Sequence, residues 1–199
     1  MAQDVGDKKA RELYQAFIKD FFERLSKIKW DYSFYFFGTP HEEETLEYFY
    51  HLSAKYQLKM HFNYQPELKF FDRLAWIFQK IHEDLGDAFI HLTGTDIPDF
   101  PFSLIKNCDD PNNVILGPDL DGGYYYLGAH AFHHQIFDIE YFLKLGHSVF
   151  AATKNQIEKL NLKTSIIDEW SDIDNLQDLK NTLKRSRNLV HTGKVTLDF

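Results

Sequence analysis

The sequence holds a single cysteine, Cys108, among 199 residues. One thiol excludes an internal disulfide framework and any zinc site built from several cysteines. No apolar run approaches the roughly 18 residues needed to span a bilayer, so a helical membrane-spanning class is excluded. Basic residues are the minority, 22 against 30 acidic, which leaves a formal charge of −8. That balance argues against a broadly basic nucleic-acid binder, and nucleic acid is not an expected partner. The first residues, MAQDVGDKKARELY, lack the apolar core of a secretory signal, so the expected compartment is the cytoplasm. No G-x-S-x-G nucleophile elbow is present, which removes one large hydrolase class. Internal repeats, low-complexity stretches and Pro/Ser-rich linkers are missing as well, which leaves one domain over 1–199 as the expectation.

What is present is apolar material, 44% of the residues, with aromatics alone at 17%, enough to build a packed core. Over 8–28, Leu13, Phe17, Ile18, Phe21, Phe22, Leu25 and Ile28 draw one apolar stripe at helical spacing. A short aromatic run at 32–37 reads as a strand that stops at Gly38-Thr39-Pro40. The spacing predicts a helix over 45–56, opened by Glu42, Glu43 and Glu44, then a strand over 59–64 and an amphipathic helix over 70–84 that Gly86 ends. Strands follow at 88–93, 114–116, 124–127 and 162–167, with broken helix over 136–160, helix over 176–187 and strand composition at 195–199. Alternating strands and helices predict an α/β three-layer sandwich with a mostly parallel sheet. Such sheets bind ligands beyond the carboxyl ends of their strands.

Three Asp-bearing loops fall at those ends: Gly94-Thr95-Asp96-Ile97-Pro98-Asp99, Gly117-Pro118-Asp119-Leu120-Asp121-Gly122-Gly123, and Asp168-Glu169-Trp170-Ser171-Asp172-Ile173-Asp174. Magnesium takes oxygen ligands, usually one or two carboxylates completed by substrate phosphates and water. Carboxylates from separate strand ends therefore suit a metal-bound nucleotide. An Asp after a strand is equally a helix N-cap, and Asp-Gly-Gly a turn former. Spacing alone leaves both readings open.

The segments GTDIPDFP at 94–101, VILGPDLDGGYYYLG at 114–128 and WSDIDNLQDL at 170–179 occur in that order. Together they resemble the radical-SAM/selenodomain-associated transferase type 1 family, a glycosyltransferase-like group. That family resembles in turn the GT-A nucleotide-diphospho-sugar transferases, whose relatives include phospholactate guanylyltransferase and the molybdenum-cofactor nucleotidyltransferases. The family pattern is G-S-D-x-P-D-L-P, V-L-G-P-x-x-D-G-G-Y-Y-L-I-G and D-V-D-T-x-E-D-L, and the middle motif agrees almost throughout from Val114 to Gly128. ELYQAF at 12–17 and YQPELKFFDRLAWIF at 64–78 extend the likeness to about residues 5–185.

The resemblance implies a transferase that takes a nucleotide or nucleotide-sugar donor with Mg²⁺ or Mn²⁺. It places the metal on Asp96, Asp174 and Asp172. It gives donor binding to Gly94, Thr95, Gly122, Gly123 and Arg73, and catalysis to Asp121 and Asp99. Several positions depart from the pattern. The family's opening strand and its K-x-P-x-P-G-x-V-K-T-R-L loop have no counterpart before Met1, Leu145-Gly146-His147-Ser148 replaces W-G-T, and Asn175 replaces the Thr of D-x-D-T. A strand-like tail at 193–199 is the candidate to fill the place of the first strand, against an edge strand or loose tail as the alternative. The same departures motivate a second function class, a degenerate non-catalytic relative serving as a binding or assembly module.

Other groups read more plainly. His130, His133 and His134 cluster without the pattern of a zinc site, and surface or pocket-rim histidines are the expectation. Of Tyr124, Tyr125 and Tyr126, strand alternation buries at least one. The basic stretch Lys180, Lys184, Arg185 and Arg187 reads as a solvated helix face. The aromatic surplus leaves area for an interface, a homodimer among the options.

Overall fold

The computed structural model describes residues 1–28, 32–39, 43–105 and 108–188. In chain order its elements are α1 (Ala2–Val5), α2 (Asp7–Leu25), β1 (Phe34–Gly38), α3 (Glu43–Lys55), β2 (Met60–Tyr64), α4 (Phe70–Leu85), β3 (Phe89–Thr93), β4 (Asn113–Pro118), β5 (Tyr124–His130), α5 (Glu140–Lys144), α6 (Val149–Lys159), β6 (Lys163–Ile166) and α7 (Leu176–Asn188). The α/β order expected from the sequence is the order found. The strand expected over 195–199, together with Glu42 and the side chain of Arg187, lies outside the described residues. Among the described residues no helix is long and apolar enough to cross a membrane.

Contacts group the chain into two units, one of residues 1–65, 95–101 and 172–199, the other of 66–94 and 102–171. The first unit is organised by α2. Its apolar stripe buries Leu13, Phe17, Ile18, Phe21, Phe22 and Leu25, while Tyr14 remains exposed. Phe22 meets Phe49 of α3 with ring centroids 5.6 Å apart, and Phe49 stacks on Phe36 of β1 at 3.8 Å. β1 and β2 pair in parallel, Phe34 opposite Met60 through Gly38 opposite Tyr64, with α3 as the crossover. A parallel pair requires such a crossover, because a tight turn cannot reverse the chain direction twice.

The second unit carries a four-stranded sheet in the order β3-β5-β4-β6. β5 runs antiparallel to both β3 and β4, and β4 runs parallel to β6. The pairing is thus mixed where a mostly parallel sheet is expected. The cause is local: only residues 119–123 separate β4 from β5, a length that makes a hairpin and not a crossover. Val114, Leu116, Leu127, Ala129, Ile136, Ile139 and Ile157 are fully buried in this unit's core. Phe78 of α4 meets Phe137 edge to face at 4.9 Å. Gly86, at φ +71°, closes α4 as expected, its N–H donating to the His82 carbonyl.

Candidate functional site

Residues 95–101 belong to the first unit, and side chains distant in sequence hold them. Tyr14 Oη lies 2.9 Å from Thr95 Oγ1, one residue before Asp96. Arg24 donates to the carbonyls of Pro98 at 2.6 Å and Phe100 at 2.5 Å. Phe100 is fully buried, with its ring 6.0 Å from that of Phe21. Asp99, 1% exposed, accepts from Arg185 Nε at 2.7 Å and Nη2 at 3.0 Å, a bidentate charge-assisted pair. Asp20 of α2 is also fully buried and lies near Arg24. Burial pulls the Arg24 guanidinium below its usual range, while the Asp99 and Asp20 charges work against that shift. Asp99, expected in catalysis, thus carries a buried structural ion pair. Asp96 is half-buried at the end of the loop where Tyr14 stands.

The third Asp loop reaches the same helix. Ile173, 5% exposed, packs with Leu13 and Phe17 of α2 and with Leu179 of α7. Its neighbours Asp172 and Asp174 are half-buried and exposed. The residues after them form a reciprocal helix cap. Asn175 Oδ1 accepts the N–H groups of Gln177 at 2.8 Å and Asp178 at 3.1 Å, and Asp178 Oδ2 accepts the Asn175 N–H at 3.1 Å. Asp4 Oδ2 takes the Leu176 N–H at 3.1 Å. Asn caps as well as Thr does, so the departure of Asn175 from the family pattern preserves the chemistry of that position. The loops bearing Asp96 and Asp174 therefore both attach to α2: Ile173 shares an apolar cluster with Leu13 and Phe17, and Tyr14 bonds Thr95.

In the second unit the D-G-G loop closes on itself. Gly122 N–H donates to Asp119 O at 3.2 Å and Asp119 N–H to Gly123 O at 3.1 Å. Asp121, exposed, accepts the Gly123 N–H on Oδ1 at 2.8 Å. Gly122 sits at φ +92°, and a Cβ there would come within 3.3 Å of Ser148 Cβ. Its carbonyl accepts from Phe150 N at 2.9 Å, near the start of α6. Gly94 is exposed after β3, and half-buried Arg73 lies 5.7 Å from the centre of the Phe70 ring. The three tyrosines are built into this unit. Tyr125 Oη donates to Asp168 O at 2.9 Å, and Tyr126 Oη lies 2.7 Å from His91 Nδ1. Tyr124 Oη and Thr153 Oγ1 are buried near one another without a hydrogen bond of ordinary geometry. Burial raises the phenols of Tyr124 and Tyr125, and the Asp168 charge adds to the second.

The structure thus brings Thr95, Asp96, Asp99, Asp172 and Asp174 into one unit, and Gly94, Arg73, Asp121, Gly122 and Gly123 into the other. Tyr14, Arg24, Asp20 and Arg185 are additions. The expected solvated face of α7 is corrected at Arg185, whose side chain is 21% exposed and bound to Asp99. Asp20 and Arg24 carried a signal: they interrupt the apolar stripe of α2 four residues apart. Tyr14 carried none. The histidines make separate contacts, His130 with Asp87 at 2.7 Å and His133 with the Pro111 carbonyl at 2.7 Å. Among the described residues no three His, Cys, Asp or Glu side chains gather as a metal cage. A hard cation held by one or two carboxylates and completed by substrate oxygens and water needs no such cage.

The chain has the GT-A-like α/β fold of the nucleotide-diphospho-sugar transferases. It matches a crystal structure from Desulfovibrio desulfuricans G20, described as a "putative nucleotide-diphospho-sugar transferase", with TM-score 0.80 and 25% identity over 99% of this chain and 84% of that one. The family model that matches, described as "Uncharacterized protein conserved in bacteria (DUF2064)", covers residues 30–141. That is more than half of the 199 residues, and the chain belongs to this family. The matched stretch includes the first two Asp loops and ends before the third. No curated protein matches the chain.

Proposed function

We propose that this chain is a cytoplasmic glycosyltransferase or nucleotidyltransferase of the radical-SAM-associated transferase group, using a nucleotide or nucleotide-sugar donor with Mg²⁺ or Mn²⁺. The observation that carries the reading is the attachment of two Asp loops to one helix, α2: Thr95 through Tyr14, and Ile173 through the apolar cluster with Leu13 and Phe17. Asp96 and Asp174 would hold the ion, with Asp172 beside them. When bound, the ion would neutralise charge developing on the leaving phosphate. The chain's own residues fix geometry: Arg24 and the Asp99–Arg185 pair hold the backbone that presents Asp96, and Ile173 anchors the backbone that presents Asp174. The GT-A-like fold and the similarity to the Desulfovibrio desulfuricans protein support the reading.

The test is calorimetric titration of the folded chain with nucleoside diphosphates and nucleotide sugars, with and without Mn²⁺. Metal-dependent binding, lost in Asp96→Asn and Asp174→Asn variants that keep their fold, is the expected result. Absence of binding at millimolar ligand rejects it.

A further inference from the structure

The second unit carries an apolar patch on its surface. Leu68 and Phe70 stand where the chain enters α4, and Tyr141 and Leu145 stand on and just after α5. Each of the four is between 48% and 64% exposed. Tyr141 and Leu145 are four residues apart, so they share one face of their helix. A charged contact joins the two segments: Lys69 Nζ is 3.9 Å from Glu140 Oε1. Lys144 Nζ reaches the same oxygen at 3.1 Å. Lys144 first, and then Lys69, hold the Glu140 carboxyl below its ordinary range, so it is ionised at neutral pH. Exposed apolar side chains gathered in this way, with charges at their margin, have the make-up of a docking surface.

We infer that this face is where two copies of the chain meet, as a two-fold symmetric dimer. Size is the first argument. Half or more of four large side chains amounts to roughly 400 Å² of exposed apolar surface. A standard interface buries about 800 Å² on each partner, a little over half of it apolar. The patch thus matches the apolar share of one side. Charge is the second argument, and it selects the occupant. The chain carries −8, so two copies repel each other at long range. Segments 67–73 and 140–145 escape that imbalance, because Glu67, Asp72 and Glu140 are matched by Lys69, Arg73 and Lys144. A strongly basic partner, the kind suited to an acidic chain, finds no net negative charge there. A second copy finds its own complement: a two-fold axis through the patch sets Lys69 of one copy against Glu140 of the other, and the reverse.

The experiment is sedimentation of the full chain by analytical ultracentrifugation, from about 1 to 200 µM, a range that covers the weak end of the affinities such areas give. Wild type is expected to pass reversibly from monomer to dimer across it. Phe70→Ser combined with Tyr141→Ser changes two exposed rings, so the far-UV spectrum should stay that of wild type. The dimer should weaken at least about tenfold. The charge variants then identify the second copy. Lys69→Glu and Glu140→Lys each set like charges across the axis, and each should weaken self-association about tenfold. Mixed together, the two variants pair opposite charges again, and the mixture should recover nearly the wild-type association. A wild type that stays monomeric throughout the range overturns the inference. So does a dimer that the paired serine substitutions leave intact, or a mixture that associates no better than either charge variant alone.

Discussion

The two Asp loops at residues 94–101 and 117–123 read alike in the sequence, yet opposite means hold them. The first is fixed from outside. Arg24 and Arg185 reach it from helices about 75 and 86 positions away in the chain, and its own Asp99 is buried to receive one of them. The second is fixed mainly from within, by hydrogen bonds among Asp119, Asp121, Gly122 and Gly123, with the Gly122 carbonyl accepting one further bond from Phe150 N. A loop held by long-range charges depends on remote residues and is costly to disturb. A self-closed turn depends on local backbone freedom and tolerates the loss of any one side chain. The same residue type thus does different work in the two loops: Asp99 anchors, and Asp121 trims a turn.

The contrast is broken most severely by removing one partner of the buried pair. Arg185→Met leaves Asp99 buried and without its bidentate partner. The expected cost is about 3–5 kcal/mol in urea unfolding. Asp121→Ala is the matched control and should cost about 1 kcal/mol or less, because its carboxylate is exposed and makes one backbone bond. Equal costs for the two substitutions would erase the distinction between the loops.

A second, smaller effect tests the self-closed loop on its own terms. Gly122→Ala forces a side chain into φ +92° and towards Ser148. A loss of about 1–2 kcal/mol is expected by chemical denaturation. A neutral Gly122→Ala would mean that the turn is not conformationally demanding, and that Asp121 and Asp119 alone define it.

The smallest effect concerns alkaline pH and separates the units. Tyr14 in the first unit, and Tyr124 and Tyr125 in the second, all have raised folded-state pKa values. As pH rises past the unfolded tyrosine value of about 10, the unfolded chain releases these protons before the folded chain does. The folded state then binds more protons, so stability falls with rising pH in that range. Thermal unfolding followed from pH 8 to 11 should show this decline, and Tyr14→Phe should remove only the first unit's share. A melting temperature that stays level across the range would contradict the assignment.

Much of the architecture was legible because the signals are periodic and local. The stripe from Leu13 to Leu25, the aromatic run before Gly38 and the Gly86 stop each specify an element from neighbouring residues alone. Sheet direction was less legible. Strands at 114–116 and 124–127 suggested an alternating α/β chain, and the short spacing between them, which dictates a hairpin, was outweighed by that overall pattern. The site was legible as a set of loops but not as a set of roles. Asp99 and Asp96 are three residues apart in one motif, and only the fold shows that Arg185 occupies one of them. Arg185 itself sits in a basic run, where a solvated face is the ordinary reading, and nothing nearby in sequence marks its distant partner. Asn175 illustrates the reverse. A departure from a motif proved to conserve a capping function, since the oxygen and not the residue name matters there.

The central claim is that Asp96 and Asp174, whose loops both attach to α2, act on one ion. It is tested most directly by a double-mutant cycle on Mn²⁺-dependent nucleotide binding, using Asp96→Asn, Asp174→Asn and the double variant. If both carboxylates hold the same ion, each single substitution should abolish most of the metal dependence, and the double variant should lose little more than either alone. Additive losses, or a variant that retains the full wild-type dependence on Mn²⁺, would show that the two residues serve different ligands and would contradict the claim.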